Sequence, residues 1–406
     1  MRLDQALTIA DLKAMARDRV PRMFFDYADS GSWTESTYRW NSEDLQKIRL
    51  EQRVAVNLSG RSLESEMVGR KVSMPVAIAP TGLTGMQHAD GEIHGARVAA
   101  ELGIPFVLST MSICSIEAIA QAVKHPFWFQ LYVMRDVDFV ENLISRAENA
   151  GCDALVLTLD LQILGQRHKD IRNGLGVPPK RGLKMLSQLL ARPRWCMDML
   201  GTKNRSFGNI VGHAKGVSDM TSLSTWTTEQ FDLELNWEKA EKLRKRWPRK
   251  FIVKGIMNAD DARMAVKIGA DAIIVSNHGG RQLDGAPSSI SVLREIVEAV
   301  GDKVEVHFDG GITGGQDVLR ALALGAKGTY IGRAWLYGLG AGGEAGVRRA
   351  LEIIRRELDL TMAFCGERDV KNVGLHNLHE HRKLAKPVLA GGAGKRRAKP
   401  AAKKKR

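Results

Sequence analysis

Within the run Ser276-Asn-His-Gly-Gly-Arg-Gln-Leu-Asp284, the imidazole of His278 stands three positions before the guanidinium of Arg281, with two glycines between them. Histidine can take a proton from a ligand whose anionic group an arginine holds, and glycine lets the main chain approach that ligand closely. Asp160 closes another apolar run, Ala-Leu-Val-Leu-Thr-Leu-Asp, and Arg167 follows it. Two arginines suit a carboxylate, each charge-assisted bond contributing about 1.5–3 kcal/mol. A carboxylate at Asp160 suits the imidazolium formed when His278 accepts a proton. The set reads as proton removal from a small carboxylic acid.

These residues need a frame that gathers distant segments. Eight apolar or β-branched runs, at 74–82, 106–110, 127–133, 154–160, 251–256, 272–277, 305–311 and 328–334, each end in small and polar residues. Between them, apolar residues recur at helical spacing over 115–123, 138–150, 260–268, 291–300 and 316–324. Alternating buried strands and helices imply parallel strands joined by right-handed crossovers. Eight such units predict an α/β fold, a (β/α)8 TIM barrel, with the first 73 residues forming an N-terminal helical cap. Strand starts are 21 to 33 residues apart except for 97 between Ala154 and Phe251, which predicts an insertion at about 174–237 after strand four.

In such a barrel the C-terminal strand ends carry the chemistry. They hold Pro80-Thr81-Gly82, Ser109, Gln130 with Tyr132, Thr158 with Asp160, Lys254, Ser276, Asp309-Gly310-Gly311 and Gly332-Arg333. The glycines after strands seven and eight match a phosphate cradle, with Arg333 as countercharge. Ser109, Gln130, Thr158 and Lys254 would be costly as unpaired core residues, at about 1–3 kcal/mol each, and call for a flat hydrogen-bonding ligand. A cofactor with a pyrimidine-like edge and a phosphate tail meets both demands, and flavin mononucleotide (FMN) is the candidate. The run Gly338-Leu-Gly-Ala-Gly-Gly343 fits a dinucleotide fingerprint only in letters: it follows the last strand and reads as the turn before a helix starting near Glu344.

Composition excludes other classes. With 44% hydrophobic and 26% charged residues, the 406-residue chain can bury a core. Four scattered cysteines form no C-x-x-C pair, which argues against a zinc ribbon, a redox dithiol or a disulfide framework, and no metal is expected. Of the net charge of +14, eight positive residues lie in 395–406 without an acid, so the basic character belongs largely to a tail, 387–406, that follows a single domain at 1–386. A solvated tail is the simpler reading, and nucleic acid is not an expected partner. No signal peptide or spanning segment is evident, so a cytoplasmic protein is expected. In the insertion, Leu183, Leu186 and Leu190 share a helical face amid Lys180, Arg181, Lys184, Arg192 and Arg194. That pattern suits either a peripheral contact with the inner face of the membrane or a lid packed on the barrel.

The signature at 276–284, with Phe25-Asp-Tyr-Ala-Asp-Ser-Gly31, Ser73-Met-Pro-Val-Ala-Ile-Ala-Pro80, Phe129-Gln-Leu-Tyr132, Leu157-Thr-Leu-Asp160 and Val253-Lys-Gly255, resembles the FMN-dependent α-hydroxy acid oxidase and dehydrogenase family over roughly 4–386. Leu108-Ser-Thr-Met-Ser-Ile-Cys114, Pro193-Arg-Trp195 and Gly82 are most similar to its bacterial flavin L-lactate dehydrogenases. The resemblance implies that Tyr27, Arg167 and Arg281 hold the substrate carboxylate, Tyr132 bonds its hydroxyl, and His278 is the base supported by Asp160. It implies that Ser109, Gln130, Thr158, Lys254 and Ser276 contact the flavin ring and ribityl chain. Asp309, Gly310, Gly311, Gly332 and Arg333 would hold the phosphate end. Two positions depart from the family pattern: Thr313, where arginine is frequent, and Gln162, where proline is frequent, which predicts a looser loop before Arg167.

The expected activity is oxidation of an L-2-hydroxy acid, foremost L-lactate, to the 2-oxo acid, with electrons passed to quinone, cytochrome or oxygen, in a homo-oligomer. Glycolate or mandelate are the alternative substrates within the family. A phosphate-binding isomerase barrel, with the same glycine pairs and no carboxylate clamp, is the rival from another class.

Overall fold

The computed structural model describes residues 1–175, 182–214, 217 and 230–379. Helices α1 (Ile9–Arg19), α2 (Arg22–Ala28) and α3 (Ser36–Lys47) precede a hairpin of β1 (Ser65–Met67) and β2 (Arg70–Val72). Eight strands follow: β3 (Val76–Ile78), β4 (Val107–Ser109), β5 (Trp128–Leu131), β6 (Ala154–Thr158), β7 (Lys250–Ile256), β8 (Ala272–Val275), β9 (Glu305–Asp309) and β10 (Gly328–Ile331). Seven parallel ladders join them in the order β3-β10-β9-β8-β7-β6-β5-β4. A parallel bridge from Ile78 to Phe106 brings the first strand back to β4 and closes the barrel. All eight expected strands are present, each shorter than the apolar run that marks it except β7, because ladder bonding stops where the chain bends toward the loops.

Trp128, Val156, Ile252, Ile274 and Tyr330 fill the barrel interior. Helices on the outside start at side-chain caps: Ser115 accepts from Ala118 N–H, Asp136 from Phe139 N–H and Asn258 from Asp261 N–H. The hairpin lies across the N-terminal mouth, where Met67 packs on Gly328 and Arg70 donates to the Pro126 carbonyl.

One expectation needs correction. The last helix begins at Arg333 and runs to Phe364, so the 338–343 glycine segment lies within it. The helix breaks only at Gly342 and Gly343, the latter at φ 59°, a conformation open to glycine without a Cβ clash. The insertion contains helices Leu183–Leu190 and Pro193–Gly201; Leu186 and Leu190 are 53% and 71% exposed, while Met185 of the same helix turns toward the C-terminal face of the barrel. It is tied to α2 through Met23 N–H donating to the Gln188 side-chain Oε1 and Trp195 stacked 5.3 Å from Phe24. Lys180, Arg181 and the tail at 387–406 lie outside the described residues, as do the side chains of Leu183 and Lys184. No helix among the described residues is long and apolar enough to cross a membrane.

Candidate active site

A cavity of about 1140 Å³ opens at the C-terminal face of the barrel. Its wall includes Pro80, Thr81 and Gly82 after β3, Thr158, Lys254, the turn after β8, Asp309-Gly310-Gly311 after β9, and Gly332-Arg333 after β10. The chain order of the strand ends thus becomes a ring, as the barrel geometry requires.

At one end stands His278. Its φ of 57° is left-handed, a conformation that costs a non-glycine residue about 1–3 kcal/mol and persists only where the surroundings impose it. Those surroundings are specific. Asn277 and Asn41 of α3 exchange two side-chain bonds of 2.8 Å, and Ser32 N–H donates to the Gly280 carbonyl at 2.9 Å. A Cβ at Gly280 would fall 2.5 Å from Tyr38 N, so glycine is what lets α3 seat against this turn. Asp284 accepts from Thr34, Ser36 and Thr37, which clamps the far end of the turn to the same helix.

Asp160 Oδ1 lies 2.9 Å from His278 Nδ1. A proton on Nδ1 is held by the carboxylate, which leaves the Nε2 lone pair toward the cavity, 3.4 Å from Tyr132 Oη. Burial alone would raise the Asp160 carboxyl, but the His278 imidazole and the Lys254 ammonium hold it below its ordinary range. Burial and the Asp160 charge push the Tyr132 phenol upward, so it remains a hydrogen-bond donor.

Arg167 and Arg281 flank the Tyr27 ring at 5.4 and 4.8 Å. Arg167 Nε donates to Asp170 at 2.6 Å, and Arg281 Nη1 to the Tyr27 carbonyl at 2.7 Å. Burial and the neighbouring Arg167 charge pull the Arg281 guanidinium down to about 10, the signature of two like charges gathered where an anion is to bind. The loop before Arg167 is not loose. Gln162 Nε2 donates to the carbonyls of Leu233 and Leu235 at 3.2 and 2.9 Å, tying it to the return of the insertion, and Gln282 bridges it to the His278 turn.

The opposite wall suits a flavin. Lys254 is buried, with Nζ donating to Ser276 Oγ at 2.7 Å and paired with Asp309 at 2.8 Å. Burial would lower its pKa, but Asp309 and Asp160 hold it above the ordinary value, so it is a fixed cation. Thr158 Oγ1 and Gln130 Nε2 are buried with no partner among the described residues, whereas Ser109 Oγ donates to Gln130 Oε1 at 3.0 Å. Orphaned buried donors are rare, and two beside a large cavity mark a ligand that completes them. Ser109, Gln130, Ser276 and Asp160 stand behind the cavity wall rather than on it, while the other expected residues line it. At the glycine end, Gly310 (φ 125°) and Gly311 (φ 81°) form the cradle. The Arg333 guanidinium is there, but its Nε and Nη2 already donate to the carbonyls of Ala28, Ser30 and Gly279. Thr313 donates its N–H and hydroxyl to Asp317 Oδ2, and Asp317 pairs with Arg320, a second cation on this wall. These features fit FMN.

Sequence reasoning missed the apolar wall of the substrate end, Met111, Leu161, Phe207 and Phe231, and the clamp made by Asn41. Phe207 and Phe231 come from the insertion, where no periodic signal points inward.

Comparison with known proteins agrees with this geometry. Residues 16–380 match the family described as FMN-dependent dehydrogenase. The chain is 42% identical over 369 residues to a Stenotrophomonas maltophilia L-lactate dehydrogenase, covering 91% of this chain and 97% of that protein. It is 43% identical over 366 residues to the L-lactate dehydrogenase of Xanthomonas campestris pv. campestris, covering 90% and 94%. Among solved structures it is similar to the monotopic membrane protein (S)-mandelate dehydrogenase, with a TM-score of 0.88 and 36% identity over 92% of this chain and 99% of that one.

Proposed function

The chain belongs to the FMN-dependent dehydrogenase family, and on that premise we propose that it oxidises an L-2-hydroxy acid, foremost L-lactate, to the 2-oxo acid. The observation that carries this reading is the His278 Nε2 lone pair facing a cavity flanked by Arg167 and Arg281, with Asp160 2.9 Å behind the imidazole. FMN supplies a two-electron acceptor when bound. Lys254, Thr158, Gln130, Ser109 and Ser276 would hold its ring and ribityl side, Asp309, Gly310, Gly311, Gly332 and Arg333 would hold its phosphate end, and Pro80, Thr81 and Gly82 would complete the cofactor wall.

Arg167 and Arg281 take the substrate carboxylate, with Tyr27 between them as a rigid spacer. Tyr132 bonds the substrate hydroxyl. His278 Nε2 removes a proton, and the imidazolium is stabilised by Asp160 at a contact short enough for an interaction of several kcal/mol at an effective dielectric near ~20. Lys254 offsets negative charge that develops at the cofactor side. Anaerobic addition of L-lactate should bleach the yellow holoenzyme; protein that stays yellow with lactate, glycolate and mandelate alike would remove the reading. Sequence identity to the lactate enzymes exceeds that to the mandelate enzymes, which places L-lactate first.

The electrons go to a respiratory acceptor at a membrane surface in this reading. Support comes from Leu186, Leu190, Met197 and Leu200, all more than half exposed on the insertion helices, with Arg192 and Arg194 beside them. Cosedimentation with vesicles containing an anionic lipid, and its loss when those four residues are made serine, tests the contact.

A further inference from the structure

Three side chains on β9 alternate onto one face, Glu305, His307 and Asp309, and that face points into the barrel. Asp309 belongs to the cofactor wall. The other two have no part in the chemistry described so far. His307 is fully buried in an interior otherwise filled by Trp128, Ile252 and Ile274, a place where a polar ring needs a reason. Its Nε2 lies 3.1 Å from Glu305 Oε2 and its Nδ1 lies 3.1 Å from Tyr330 Oη. A carboxylate at Nε2 selects the tautomer protonated there, so Nδ1 accepts from the phenol. Tyr330 lines the cavity at the upper end. Glu305, at the lower end, is 32% exposed at the N-terminal mouth, where it also accepts from Val68 N–H at 2.9 Å. A line of polar side chains therefore runs from Tyr330 in the cavity wall through His307 and Glu305 to solvent on the far face.

We propose that Tyr330, His307 and Glu305 are a proton relay between the cavity and the N-terminal mouth of the barrel. The inference rests on the hydroxy acid reading above, since converting a hydroxy acid to an oxo acid yields two protons with two electrons, of which one is free to leave on reduction and the other stays with the reduced cofactor until it is reoxidised, and an acceptor docked over the C-terminal face would cover the direct way out. In each passage a proton from the cavity bonds to Tyr330 Oη as the phenol's own proton passes to His307 Nδ1. His307 gives its Nε2 proton to Glu305, and Glu305 releases one to water; one N–H bond has then formed at Nδ1 as one broke at Nε2, and the imidazole turns to carry its remaining N–H back toward Glu305 before the next passage. One O–H bond forms for each that breaks, and nothing is oxidised or reduced. Burial, with the Asp309 and Glu305 charges, holds the Tyr330 phenol far above its ordinary pKa, so it relays without remaining ionised.

The test is stopped-flow reduction of the holoenzyme by L-lactate without oxygen, in weak buffer with a pH indicator, reading flavin bleaching and proton release separately. In Tyr330→Phe and Glu305→Gln, bleaching is expected to stay within ~2-fold of wild type while proton release lags at least ~10-fold behind it; Glu305→Asp restores the timing. Proton release that keeps pace with bleaching in both variants overturns the relay. Glu305→Gln sits at the partly exposed end and decides the matter if Tyr330→Phe loses its FMN. Photoreduction of bound FMN with deazaflavin needs no substrate, so proton uptake measured that way tests the relay even if no hydroxy acid bleaches the enzyme, an outcome that would count against the substrate reading alone.

Discussion

Asp160 Oδ1 and His278 Nδ1 lie 2.9 Å apart although 118 residues separate them in the chain. The contact sets the imidazole tautomer, because a carboxylate accepts and cannot donate. Asp160→Asn keeps the shape but lets the amide donate to Nδ1, which turns the Nε2 lone pair into an N–H. Turnover is expected to fall about 10²- to 10⁴-fold with FMN content unchanged, and His278→Ala to lose at least ~10²-fold. Steady-state rates normalised to flavin absorbance check both; near-normal rates would place the base elsewhere.

Arg281 shares a buried wall with Arg167, and burial with that like charge draws it from 12.5 to about 10. Arginine remains charged across the working range. Lysine, whose ordinary pKa is lower to begin with, would under the same burial and like charge titrate at a lower pH than a free lysine. The cation that receives the carboxylate is present below that pH and lost above it. In Arg281→Lys, KM for L-lactate should therefore rise as pH is taken into the alkaline range, while wild-type KM stays level; parallel profiles would show that Arg281 does not hold the carboxylate.

Thr158 buries a hydroxyl that lacks a partner among the described residues. Replacing it with valine keeps the shape and removes the unpaired group. Apoprotein is expected to melt higher, by an amount corresponding to about 1 kcal/mol, and FMN to bind more weakly by a similar amount. Thermal melts with and without FMN, and fluorescence titration of FMN, separate the two effects. Equal stabilisation of apo- and holoprotein would mean the hydroxyl does not face the cofactor.

Glu117 forms a two-point pair with Arg146, at 2.7 and 2.8 Å, which holds its carboxyl at about 2 against an ordinary 4.5. A carboxyl lowered on folding adds stability that is complete above about 4.5 and fades as pH falls toward 2. The pair is partly exposed, so its worth is modest. Glu117→Gln should lower the melting temperature at neutral pH and leave it nearly unchanged at pH ~2; an equal loss at both would assign the effect to packing.

Periodicity is a property of neighbouring residues, so the eight βα units and the 97-residue gap were readable along the chain, and the strands at 154–158 and 305–309 fall inside the expected runs. So was the 276–284 run, because its glycines, histidine and arginine act within one turn. Contacts set by barrel closure were not. Asn41 reaches Asn277 across 236 residues, His307 meets Tyr330 across 23, and Gln162 ties down a loop that its residue type alone made look loose. Alternation along a strand tells which side chains turn inward. Which inward groups meet depends on the stagger of adjacent strands and on where the first strand rejoins the rest, and that register is a property of the closed sheet.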